Sequence, residues 1–126
     1  MPKAKPTKIL IAEDDAFLVK MYTRSLREHG WDIVIVENGE EAISAIEEET
    51  PALLLLDLLM PNTDGFAVLE HISNQGYEFP VIVLTNLSQE VDQNKCKQLG
   101  AVDFFVKSDI DMQHLIGIIQ SYVQKS

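Results

Sequence analysis

The chain has 126 residues, a single cysteine, 46% hydrophobic residues and a formal net charge of −10. That is the size and composition of one globular domain with one buried core. A lone thiol, Cys96, excludes an internal disulfide and a thiolate metal centre, and the acidity disfavours direct binding to nucleic acid.

The first eight residues, Met1 to Lys8, carry three lysines and two prolines. They lack the apolar stretch of a signal peptide. Residues 1–7 therefore read as a flexible tail, residues 8–126 as the domain, and the protein as cytoplasmic. No apolar run approaches the roughly 20 residues of a membrane-spanning helix.

Five short apolar runs follow: Ile9–Ala12, Ile33–Val36, Leu53–Leu56, Val81–Leu84 and Val102–Val106. They are continuous rather than alternating, which suits strands covered on both faces, as in a parallel sheet. The segments between them are helical in pattern. Leu18, Tyr22, Leu26 and His29 share one face of the first, and Leu115, Ile118, Ile119 and Tyr122 one face of the last. Asn38 with Glu41 reads as a capping-box pair, and Asp64 and Ser88 as N-caps. Gly30, Gly76 and Gly100 fall where helices should end. Glu47, Glu48 and Glu49 read as a solvated helix end. The alternation predicts an α/β domain: a doubly wound five-stranded parallel sheet with five helices, in three α/β/α layers.

Such a sheet places its ligand outside the carboxyl ends of its strands. Polar residues follow four of the five runs there: Glu13, Asp14 and Asp15, then Asp57, Thr85 and Lys107. Carboxylates brought together repel unless a cation sits among them. A hard divalent ion with oxygen ligands answers that need, and Mg²⁺ fits because it keeps waters and accepts phosphate oxygens. A carboxylate can itself be the nucleophile in phosphoryl transfer, leaving the protein to position groups and neutralise charge. Lys107 supplies a mobile positive charge and Thr85 a hydroxyl donor.

Glu13–Asp14, the run Leu56–Asp57–Leu58–Leu59–Met60–Pro61 with Asp64–Gly65, Leu84–Thr85, and Phe104–Phe105–Val106–Lys107 together resemble the receiver domain of two-component response regulators. The likeness runs from about Lys8 to Val123, and a single-domain, chemotaxis-type regulator is the nearest form. It implies the flavodoxin-like strand order 2-1-3-4-5. It implies that Asp57 accepts phosphate from a histidine kinase or phosphotransfer protein. Glu13, Asp14, Asp57 and the backbone carbonyl of Leu59 would hold Mg²⁺, for which Mn²⁺ could substitute. Thr85 and Lys107 would bind the phosphoryl oxygens, and Phe104 would be the switch aromatic that turns inward as Thr85 moves. Such a module catalyses only its own phosphorylation and dephosphorylation. It would act on a downstream protein through the face of the fifth strand and its two flanking helices, with a phosphorylation-dependent homodimer as one form of output.

The chain departs from the family pattern in places. Ser108 follows Lys107 where the family usually has a proline, often after a cis bond; without proline a cis bond costs about 3 kcal/mol. Asn86 replaces a small residue after the threonine. Leu59 and Leu87 stand two residues beyond Asp57 and Thr85, at positions that influence phosphoryl lifetime in the family. Neither can position an attacking water, which predicts a long-lived phosphorylated state.

Taken singly, most of these residues have plainer readings. Asp15 and Asp64 serve as caps, Cys96 as a partly buried thiol, Trp31 as packing, and His29, His71 and His114 as solvated positions on helices. Three other functions fit the fold. A flavodoxin-like electron carrier would need a hydroxyl- and glycine-rich phosphate loop where Glu13–Asp14–Asp15 stands. An aspartate-nucleophile phosphatase would want an acid where Leu59 is. A pseudo-receiver would not need so complete an acidic pocket.

Overall fold

The computed structural model describes residues 7–61, 64–87 and 89–123. The elements follow in strict alternation: β1 (Lys8–Ala12), α1 (Ala16–Arg27), β2 (Asp32–Val36), α2 (Gly39–Glu48), β3 (Leu53–Leu56), α3 (Gly65–Gln75), β4 (Val81–Thr85), α4 (Glu90–Gln98), β5 (Asp103–Val106) and α5 (Met112–Val123). A single 3₁₀ turn, Lys107–Asp109, joins β5 to α5. The strands pair in parallel in the order β2-β1-β3-β4-β5, the expected doubly wound arrangement.

The continuous apolar runs are explained by burial from both sides. Successive strand residues point to opposite faces. Leu10, Ala12, Leu54, Leu56, Val81 and Val83 pack with Ala42, Ile46, Val68, Leu69, Ile72 and Cys96, under α2, α3 and α4. Ile9, Ile11, Leu53, Leu55, Ile82 and Leu84 pack with Tyr22, Leu26, Leu115 and Ile119, under α1 and α5. β3 and β4 are buried along their whole length, whereas every residue of the edge strand β5 is half-buried.

The helix signals hold with informative differences. Asn38 caps α2 by accepting from the Glu41 amide at 2.9 Å, but the Glu41 carboxylate bonds the amide of Glu37 at 2.8 Å, one residue before the cap. Asp64 caps α3 through the Ala67 amide. Gln89 precedes α4 without a side-chain cap, and Ser88 lies outside the described residues. Gly76 closes α3 at φ 75°, a left-handed conformation that costs a side-chain-bearing residue. Residues 1–6 of the expected tail are also outside the described residues, while the Thr7 carbonyl already accepts from Asp32 N–H at 2.9 Å.

Two histidine expectations are corrected. α1 ends at Arg27, so His29 lies beyond the helix, stacked on Trp31 at 5.2 Å between ring centroids. His71 is on α3 but is not solvated: its Nε2 is buried without a hydrogen-bond partner, and the ring leans against Tyr77. His114 is exposed, as expected. The peptide bond between Lys107 and Ser108 is trans, so the absent proline imposes no cis geometry here.

Candidate functional site

The sheet gathers the predicted residues at its carboxyl edge by extending its own ladders. Glu13 N–H donates to the Val36 carbonyl at 3.0 Å, and Asp57 N–H donates to the Ala12 carbonyl at 3.1 Å. Both carboxylates are thus pinned one residue past the strands that carry them. Thr85 is the last residue of β4, opposite Val106, so Lys107 emerges beside it. Glu13, Asp57 and Thr85 are the buried polar residues of the described chain, at 2%, 4% and 0% exposure.

Lys107 reaches back across the edge. Its ammonium donates to Asp57 Oδ2 at 2.8 Å and forms a second ion pair with Glu13 Oε1 at 2.5 Å. The remaining carboxylate oxygens are also engaged, Glu13 Oε2 by the Asp15 amide and Asp57 Oδ1 by the Leu59 amide. Asp15 caps α1 through the amides of Phe17 and Leu18. It stands outside the acidic triad of Glu13, Asp14 and Asp57, each of which offers an oxygen within 4.8 Å of the others.

The electrostatics match a site that wants a cation. Burial raises the pKa of the Glu13 carboxyl, against the pull of Lys107. Burial works against the charge of Lys107 too, but hydrogen bonds to Asp57 and Glu13 prevail and its pKa is raised. Two buried carboxylates and one exposed one, Asp14, form a hard oxygen donor set that suits a divalent ion and suits no soft metal.

Two supporting roles, of residues already noted, escaped the sequence reading. Tyr22 on α1 feels the site: burial, then the charge of Glu13, pushes its hydroxyl up to about 12. Its place on the apolar face of the helix that follows the acidic trio was the available signal. Gly65 has a steric role. A Cβ there would meet the Asp57 carbonyl oxygen and Leu58 Cα at 2.7 Å, so α3 starts in contact with the strand end that bears Asp57. The Gly65 amide donates to the Leu58 carbonyl at 3.2 Å.

The other singled-out residues are placed as follows. Leu59 follows in the turn after Asp57 and is 54% exposed. Leu87 is half-buried, its amide 3.4 Å from Thr85 Oγ1, and Asn86 is exposed. Phe104 packs on the α4 side of β5, lining a cavity of about 250 Å³ with Cys96 and Lys97, while Phe105 packs on the α5 side.

A parallel doubly wound sheet with an acidic pocket and one lysine at its carboxyl edge defines a class of phosphoryl-accepting signalling domains. The comparisons agree. Residues 9–120 match the model of the response regulator receiver domain. The chain is 34% identical, over 100 residues, to the alkaline phosphatase synthesis transcriptional regulatory protein PhoP of Bacillus subtilis, covering 79% of this chain and 42% of that one. The BeF₃-activated N-terminal receiver domain of Klebsiella pneumoniae RstA superposes with a TM-score of 0.85 at 25% identity, covering 94% of this chain and 99% of that one. A DNA-binding response regulator of the LuxR family from Staphylococcus aureus gives 0.85 at 25% identity, with 92% and 98% covered. The chain belongs to the response regulator receiver domain family, the phosphorylation-activated switch of two-component signalling. It spans about two fifths of the length of the curated relatives it matches. Among the described residues no helix is long and apolar enough to cross a membrane.

Proposed function

We propose that Asp57 is the phosphoacceptor. One observation carries the reading: Asp57 is buried at the carboxyl edge, held by Lys107 at 2.8 Å, with oxygens of Glu13 and Asp14 within 4.8 Å. One carboxylate oxygen of Asp57 attacks the phosphorus of a kinase phosphohistidine. The P–N bond breaks, the imidazole leaves with its electron pair, and Asp57 becomes an acyl phosphate. Glu13, Asp14 and the Leu59 carbonyl, with Asp57, are the residues to hold Mg²⁺, or Mn²⁺ in its place. The bound ion would neutralise charge developing on the phosphoryl oxygens. Lys107 and Thr85 bind those oxygens, the lysine as a point charge and the threonine as a hydroxyl donor.

The phosphoryl group adds about −1.5 to −2 charges at neutral pH. Thr85 moves toward it, and Phe104 turns inward beside α4, where it already lines the 250 Å³ cavity with Cys96 and Lys97. The altered α4–β5–α5 face then meets a downstream protein or a second copy of the chain. Residues 8–126 act as a cytoplasmic receiver module, served by a histidine kinase or phosphotransfer protein.

Intact mass after incubation with acetyl phosphate tests this. Wild type should gain one phosphoryl group with Mg²⁺ and none with EDTA, and Asp57→Asn should gain none. A wild type that stays unmodified with acetyl phosphate and with several kinases would leave a scaffold that kept the pocket without the switch.

A further inference from the structure

We infer that the amino edge of the sheet carries a binding site for a small organic cation with an apolar body, an arylalkyl ammonium, between the ends of α3 and α4. A cavity of about 370 Å³ opens there, within the roughly 300–1,000 Å³ that ligand pockets occupy. Leu69 and Ile72 of α3, Val81 at the start of β4, Leu99 and Val102 form its apolar walls. Tyr77 and Phe79 line it as a tilted pair of half-buried rings, 5.8 Å between centroids, and the His71 ring lies 6.5 Å from that of Tyr77. Gly76 and Gly100 leave the rim open: a Cβ on either would meet nothing within 4 Å. Val102, an apolar residue left 48% exposed, lies between this cavity and the one of 250 Å³ and lines both.

Charge selects the ligand. Gly76 caps α3 and Leu99 caps α4, and both line the cavity, so two helix C-termini meet there. Each such terminus carries roughly half a negative charge. Glu78 adds an exposed carboxylate to the lining. The faces of Tyr77 and Phe79 attract positive charge as well. Among the described residues no lysine or arginine lines the cavity, and Lys97, in the last turn of α4, lines the neighbouring one. An anion would meet the carboxylate and both helix ends with no fixed cation to hold it. An inorganic cation would leave the apolar walls wet. An ammonium on an apolar body answers both parts of the lining. The acidic triad stands at the opposite, carboxyl edge of the sheet, so the two sites are separate.

Titrations of ¹⁵N-labelled protein with 2-phenylethylammonium, 2-phenylethanol and 3-phenylpropionate, followed by backbone amide shifts, test the site. The three probes share a phenyl ring and differ in charge. The ammonium should shift the amides of Gly76, Gly100 and Val102 and bind at least about fivefold more tightly than the alcohol, and the propionate should bind least. Glu78→Gln removes one exposed carboxylate, with little consequence for folding. It should weaken binding of the ammonium about two- to fivefold and leave that of the alcohol unchanged. Equal affinities for ammonium and alcohol overturn the inference, as does a preference that Glu78→Gln leaves intact. Ammonium shifts confined to the amides of Asp15 and Leu59 would place the cation at the acidic edge and overturn it too. So would an absence of shifts with all three probes.

Discussion

β3 and β4 bury every residue and carry Asp57 and Thr85 at their ends, whereas β5 buries none fully and α4 buries only Cys96. The acidic edge is thus anchored in the best-packed part of the molecule, and the flank proposed to carry the signal is attached to it by few apolar groups. Low apolar burial marks the segments that open at small free-energy cost. The contrast suits a switch: chemistry needs fixed groups, and a signal needs an element with somewhere to go.

The largest effect expected from this contrast is on stability. Leu56→Ala removes a fully buried side chain one residue before Asp57. It should cost about 2–5 kcal/mol in urea denaturation. Val91→Ser, on the 71% exposed face of α4, should change stability by less than about 0.5 kcal/mol. Similar losses from both would erase the distinction between the two regions.

Gly65→Ala comes next. The added Cβ meets backbone rather than a flexible side chain, so relief requires moving α3 or the Asp57 loop. Overpacking of this kind costs about 1–3 kcal/mol. Phosphorylation by acetyl phosphate should fall along with stability. An alanine variant that is as stable and as readily phosphorylated as wild type would show that the start of α3 is not what holds Asp57.

Tyr22 sharpens the comparison through pH. Its hydroxyl ionises near 12 in the folded chain and near 10 when unfolded. The unfolded state therefore releases this proton first, and the stability linked to it is present below pH 10 and lost between pH 10 and 12. The loss amounts to about 2–3 kcal/mol. Tyr22→Phe should flatten that stretch of the stability profile. Parallel profiles for wild type and variant would mean that Tyr22 is not set in the buried, acidic surroundings of Glu13.

The fold and most of the site were legible in the sequence, for one physical reason. A parallel sheet buried on both faces writes itself as continuous apolar runs, and the residues just past each run must share one edge. Glu13, Asp57, Thr85 and Lys107 are therefore found by counting. What escaped depends on side-chain reach rather than period. The Lys107–Glu13 ion pair links residues far apart in the chain, and no spacing rule announces it. The Glu41 carboxylate takes the Glu37 amide, one residue before the amide a capping box would use. His71 reads as solvated from its place on a helix away from the strand ends, yet its Nε2 is buried and its ring lies beside Tyr77.

Loss of the phosphoryl group gives a kinetic prediction at the rim between the two regions. Leu59 and Leu87 flank Asp57 and Thr85, and neither side chain can orient water. Leu87→Glu places a carboxylate there that can act as a general base. The phosphorylated half-life, followed by intact mass after removal of donor, should shorten several-fold in Leu87→Glu and in Leu59→Asn. A wild-type half-life no longer than theirs would contradict the long-lived state.

The smallest effect concerns how α4 is held. Cys96 is fully buried, and burial together with the nearby Asp92 pushes its thiol up to about 11. The thiolate needed for disulfide exchange is therefore scarce near neutral pH, and the reagent must wait for α4 to lift. Another link is the Lys95 ammonium, 4.3 Å from the centre of the Phe66 ring in the first turn of α3. At an exposed position such a pair contributes about 0.5–1 kcal/mol. Lys95→Ala should therefore lower stability to urea by about that amount and speed labelling of Cys96 by a disulfide reagent about two- to fivefold, with labelling in both proteins faster than global unfolding allows. If the opening free energy read from labelling equals the global unfolding free energy in urea, α4 opens only with the whole domain, and the flank is as firmly held as the edge that carries Asp57.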